Sequence, residues 1–143
     1  MKKSLTAAVL ALTAMTAGQA GAEQVKGLNV VVTSQDRQTQ MMAMVLSTQT
    51  AARHGKDVNL VLCSHAADLA LAETTTEPFQ PLGESPTDLL KNLISLGVNV
   101  EVCPLYLPSV GKTEDALIDG ISVANPAVVA GRLLDTEYRV LSY

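Results

Sequence analysis

The chain carries two cysteines, and both end near-identical stretches: Val58-Asn59-Leu60-Val61-Leu62-Cys63 and Val98-Asn99-Val100-Glu101-Val102-Cys103. A thiol can form a disulfide, ligate a metal, act as a nucleophile, or simply fill space as a small apolar side chain. Side chains alternate along a strand, so Asn59, Val61 and Cys63 share one face, as do Asn99, Glu101 and Cys103. If the two strands pair in register, the thiols lie side by side. Neighbouring strands run about 4.8 Å apart, inside the roughly 4.4–6.8 Å Cα separation that a disulfide spans. A Cys63–Cys103 disulfide and a reactive thiol with a resolving partner are therefore both open. His65 adds a third donor, so Cys63, His65 and Cys103 form a weak zinc or copper(I) candidate without paired Cys-x-x-Cys spacing. The plain alternative for His65 is a solvent-exposed residue at a helix start. Glu101, on the face of Cys103, is expected to disfavour a thiolate there.

The elements that position these residues follow from hydrophobic periodicity. Leu28–Thr33, Val58–Leu62 and Val98–Val102 are β-branched or aliphatic runs, expected as strands. From Asp36 to His54, the residues Met41, Met44, Val45, Thr48 and Ala52 recur at helical spacing, and Gly55 suits a left-handed cap. At that spacing Met41, Met42 and Met44 read as core filler and not as copper ligands. Ala66–Ala72 is expected as a short helix, followed by the irregular stretch ETTTEPFQPLGES. Ser85 caps a helix with Pro86 at its first position and Asp88 near its positive end, and Gly97 closes it. After Cys103, PLYLPSVGK reads as a loop. Thr113 opens a short helix whose first-turn acids are Glu114 and Asp115, and ISVA is a fourth strand. Asn125-Pro126 starts a further helix running to about Leu134, and YRVLSY is the last strand. Strands alternating with helices predict a three-layer α/β/α sandwich around a mainly parallel five-stranded sheet. Ligands bind such sheets at the carboxyl edge, where both cysteines fall. Tyr106 and Phe79 lie in the loops flanking that edge.

The chain ends and composition narrow the classes. Lys2 and Lys3, the apolar run Leu5–Met15 and the small residues Ala20-Gly21-Ala22 read as a secretory leader over residues 1–22. Residues 23–143 are then a single domain, expected in the periplasm, with no stretch long enough to span a membrane. Removing the leader takes the formal charge from −4 to −6, since it holds two lysines and no acid. That balance argues against nucleic acid as a partner. Export also favours disulfide chemistry. No serine–histidine–acid arrangement, phosphate loop or Gly-x-Gly-x-x-Gly is present, which disfavours hydrolases and nucleotide binders. No cofactor is expected.

The order of pieces along residues 23–143 resembles the DsrE/DsrF-like family of sulfur-relay proteins, in particular its small, exported, stand-alone members. The resemblance rests on the repeated helix-Gly-x-x-Val-strand unit, on SPTDLLKNLISLGVNVEVC, on the loop glycine Gly111, and on DALIDGISVANPAVVAGRLL. It implies a DsrE-like fold and a cysteine after the third strand, here Cys103, that carries a persulfide sulfur. It also implies a homo-oligomer, dimer or trimer, and a protein that donates or accepts sulfur. Cys63 matches no general family cysteine; its role as resolving or disulfide partner rests on the strand pairing alone. The reading reached is an exported sulfur carrier in thiol redox chemistry, resembling a sulfurtransferase. The alternative is a non-catalytic module that binds a metal or small molecule at the same edge.

Overall fold

The computed structural model describes residues 25–143; the leader expected over residues 1–22 lies outside them. Five strands form one sheet: β1 (Gly27–Val32), β2 (Asp57–Leu62), β3 (Asn99–Val102), β4 (Ile121–Val123) and β5 (Tyr138–Ser142). All pairings are parallel, in the order β4-β3-β2-β1-β5. The chain walks from β1 to one edge, then crosses back to place β5 on the other side of β1. The three-layer α/β/α sandwich expected from the alternation is present.

Helices α1 (Arg37–His54) and α2 (Pro86–Ser95) cover one face. Asp36 caps α1, its carboxylate accepting from the Thr39 N–H at 2.8 Å, and Gly55 ends the helix at φ 57°. Ser85 and Asp88 form a reciprocal capping box at the start of α2, with Pro86 in the first turn. Beneath these helices Val30, Val32, Leu60, Leu62, Val100 and Val102 are almost fully buried against Met41, Met44, Leu90 and Leu93. This is the hydrophobic core, and apolar burial at about 25 cal/mol per Å² is what holds the sandwich together.

The other face is built differently. A short helix, α4 (Pro126–Leu134), crosses it, and none of its residues is fully buried. Below α4 the sheet presents Asn29, Asn59 and Asn99, which register places side by side on β1, β2 and β3. Asn59 donates to Asn29 at 2.9 Å, and Asn99 donates to Asn59 at 3.2 Å. A polar ladder therefore stands where an ordinary sandwich has aliphatic packing.

The short helix expected at Ala66–Ala72 is present as a 3-10 helix over Ser64–Ala70. Two local expectations change. The helix after Thr113 shrinks to a 3-10 turn at Glu114–Ala116. The stretch after Cys103, expected as a loop, folds into a one-turn helix, α3 (Tyr106–Ser109). Its start is set by the Tyr106 N–H donating to the Cys103 carbonyl at 3.0 Å. Pro108 is tolerated there because first-turn N–H groups have no intrahelical partner to lose.

Candidate functional site

Cys63 and Cys103 follow directly on β2 and β3 at the carboxyl edge of the sheet. The Leu62–Val102 pairing ends the ladder, and one further residue on each strand sets the two cysteines opposite each other. Their backbones continue the sheet: the Cys63 N–H donates to Val32 and the Cys103 N–H to Leu62, both at 2.9 Å. Both are free thiols and half-buried. Burial, and then the neighbouring Cys103 sulfur, push the Cys63 thiol up to about 11. Cys63 thus keeps its proton at neutral pH and can donate an S–H···S hydrogen bond to Cys103.

Cys103 opens on two sides. Towards α4 it shares with Cys63 an apolar groove of about 460 Å³, walled by Val61, Ala124, Val129 and Leu133. Towards the 3-10 helix it borders a cleft of about 430 Å³ lined by Ser64, His65, Asp68 and Tyr106. Cys63 lines only the first of these. Leu105, 77% exposed, stands between the two openings. In the cleft the Tyr106 hydroxyl donates to the Asp68 carboxylate. Burial first, and Asp68 second, raise the Tyr106 phenol well above its ordinary range. The His65 Nδ1 lies 3.3 Å from the Ser64 hydroxyl. Ser64 is the one non-glycine among the described residues with a left-handed backbone, at φ 54°. Strained backbone of this kind is retained where the surroundings over-determine it, often beside functional groups.

A charge pair lies beneath the groove. Arg132, on α4, binds the carboxylate of Glu101 and donates to the Asn59 side-chain carbonyl at 3.3 Å. Its backbone carbonyl accepts from the Asn29 amide. The guanidinium thereby neutralises the one acid on the Cys103 face of β3, while its Nε finds no partner among the described residues.

The thiols do not sit at the crevice between β1 and β5, where the strand order reverses and open α/β sheets commonly bind ligands. There the β1–β5 ladder runs one residue further, Thr33 donating to the Tyr143 carbonyl through its N–H at 2.8 Å and its hydroxyl at 2.9 Å.

No family model matches the sequence, and none of the curated proteins matches it. Solved structures do. The fold is that of YchN from E. coli. The two superpose with a TM-score of 0.69 at 20% sequence identity, over 83% of this chain and 99% of YchN. MTH1491 from Methanobacterium thermoautotrophicum follows the same path (TM-score 0.57, 12% identity, 82% of this chain and 98% of that one). So does BT1422 from Bacteroides thetaiotaomicron (0.59, 15%, 82% and 95%). The latter two are described as proteins of unknown function. At these identities the likeness to YchN and the others establishes the fold and nothing of the chemistry.

The structure brings Cys63 and Cys103 together, as register predicted. His65 joins Cys103 across the polar cleft but does not line the groove that holds Cys63. Among the described residues no three histidine, cysteine or acidic side chains converge on a metal-sized site, so the Cys63, His65 and Cys103 candidate is not assembled. Tyr106 walls the cleft. Phe79 does not line either opening; its ring lies under the Arg37 guanidinium at 4.8 Å. Met41 and Met44 are core, whereas Met42 is exposed. Glu101, expected as a bare acid on the Cys103 face, is paired with Arg132. Arg132 itself was missed. The available signal was a lone acid in an aliphatic strand, since a buried charge requires a partner, and a lone arginine in the otherwise apolar PAVVAGRLL.

Proposed function

We propose that the protein is an exported sulfur carrier, in which Cys103 accepts a sulfane sulfur and Cys63 resolves it. The observation that supports this reading most is the pairing of two free thiols at one edge, with Cys103 alone reachable from both openings. In loading, the Cys103 thiolate attacks the outer sulfur of a persulfide R–S–SH. The donor S–S bond breaks, R–SH leaves with the proton, and Cys103 becomes a persulfide. An acceptor thiolate can take that outer sulfur and restore the Cys103 thiolate. Alternatively Cys63 attacks the inner sulfur, forms the Cys63–Cys103 disulfide and expels hydrosulfide; two thiols are then oxidised and the sulfane sulfur is reduced. The leader-like residues 1–22 support action in the periplasm, and the exposed apolar residues of α4 and β5 support a small homo-oligomer.

Intact-mass spectrometry of the reduced protein after incubation with inorganic polysulfide tests the reading. Cys103→Ser abolishes the gain of about 32 Da per sulfur. Cys63→Ser retains loading and loses release as a disulfide. Loading lost only in Cys63→Ser reverses the two roles, and equal, slow reactivity of both thiols leaves a binding module with structural cysteines.

A further inference from the structure

Taking Cys103 as the sulfur acceptor, we propose that its source is neutral zero-valent sulfur, an uncharged ring such as cyclo-octasulfur, in preference to an anionic sulfane. The groove onto which both thiols open is walled by Val61, Ala124, Val129, Ala130 and Leu133. Among the described residues no lysine or arginine lines it, and the nearby guanidinium of Arg132 is committed to Glu101 and Asn59 below. The start of α4 adjoins the groove and is the natural place for an anion. There, however, the Asn125 side-chain carbonyl already accepts from the Ala127 and Val128 N–H groups at 3.0 and 3.4 Å, and Pro126 has no N–H to offer. The second approach to Cys103, through the polar cleft, sets Asp68 beside His65 and, among the described residues, holds no lysine or arginine. An incoming anion therefore meets a negatively charged chain on one route, and loses its hydration against apolar walls on the other. A soft, uncharged sulfur ring incurs neither cost, and a space of about 460 Å³ falls within the range of small-molecule sites.

The chemistry balances without another reagent. The Cys103 thiolate attacks one ring sulfur; one S–S bond forms, one ring bond breaks, and the electron pair ends on the terminal sulfur of the opened chain. Cys63 then attacks the Cys103 sulfur and forms the Cys63–Cys103 disulfide. The chain leaves as a hydropolysulfide with the Cys63 proton, so the two thiols are oxidised as the ring is reduced by two electrons.

The test compares cyclo-octasulfur with inorganic polysulfide as donors to the full, reduced protein under anaerobic conditions, read by intact mass. The ratio of their loading rates is divided by the same ratio for free N-acetylcysteine. The expected normalised ratio favours the ring by about tenfold or more. Ala130→Lys, at an exposed position of α4, places an ammonium at the groove and should lower that ratio about tenfold. Loading by polysulfide with no preference for the ring, or a ratio unmoved by Ala130→Lys, overturns the inference and leaves the carrier reading intact. Failure of both donors to modify Cys103 removes the carrier reading, and this inference with it.

Discussion

Arg132 and Glu101 form an ion pair between α4 and β3, with side chains 20% and 10% exposed, directly beneath the paired thiols. The pair does two jobs at once. It ties down a helix that buries none of its residues fully, and it cancels the negative charge closest in sequence to Cys103 on that face of the sheet.

Breaking the pair from one side should therefore be worse than removing it. Arg132→Met leaves the buried Glu101 side chain without its partner, and is expected to destabilise the fold by about 2–3 kcal/mol in urea unfolding. Combining it with Glu101→Leu should recover most of that loss. In the single variant the uncompensated carboxylate should also slow iodoacetamide alkylation of Cys103 at neutral pH, an effect that the double variant reverses.

The two thiols should separate in pH. With Cys63 pushed up to about 11, chiefly by burial, alkylation near neutral pH should fall on Cys103 first. The rate at Cys63 should then rise about tenfold per pH unit towards that value. The folded protein holds the Cys63 proton while the unfolded chain gives it up near 9.0. Stability is therefore expected to fall as pH rises from that value to about 11. Peptide-resolved mass spectrometry across the pH range gives the first result, and unfolding midpoints in the same buffers give the second.

The cap of α2 offers a check on the fold alone. Ser85 is 1% exposed, and its hydroxyl accepts from the Asp88 N–H at 3.2 Å. Ser85→Ala should cost about 1–2 kcal/mol. The Asp88 carboxyl is held below its ordinary range by the Ser85 hydroxyl first and the Ser85 N–H second. Its contribution is therefore present above the usual aspartate pKa and lost as pH falls through the depressed value. In Ser85→Ala the acid limb of the stability curve should flatten.

Self-association is expected from the second face. Leu134 is 81% exposed, Leu105 77%, Val128 52% and Val140 47%, an amount of apolar surface that a soluble chain tends to cover. Sedimentation at micromolar concentration should show a dimer or trimer, and Leu134→Asp should shift it towards the monomer. A monomeric parent protein at that concentration contradicts the expectation.

Much of this molecule is written in local pattern. The aliphatic runs around Val30, Leu60 and Val100 read as buried parallel strands, and Ser85 and Asn125 announce two helices through their caps. Those signals are local because they depend on alternation, on φ preferences and on side chains that reach the next turn. The repeat of Val-Asn-aliphatic-x-aliphatic-Cys even carried the pairing of Cys63 with Cys103, since equal positions on in-register strands must meet. The rest depended on contacts between segments distant in the chain. The sequence did not reveal that Arg132 would reach Glu101 or that Tyr106 would turn into a one-turn helix to bond Asp68. Each of these follows from where α4 and α3 come to rest on the sheet, and that is decided by the shape of the whole core and not by any residue's neighbours in sequence.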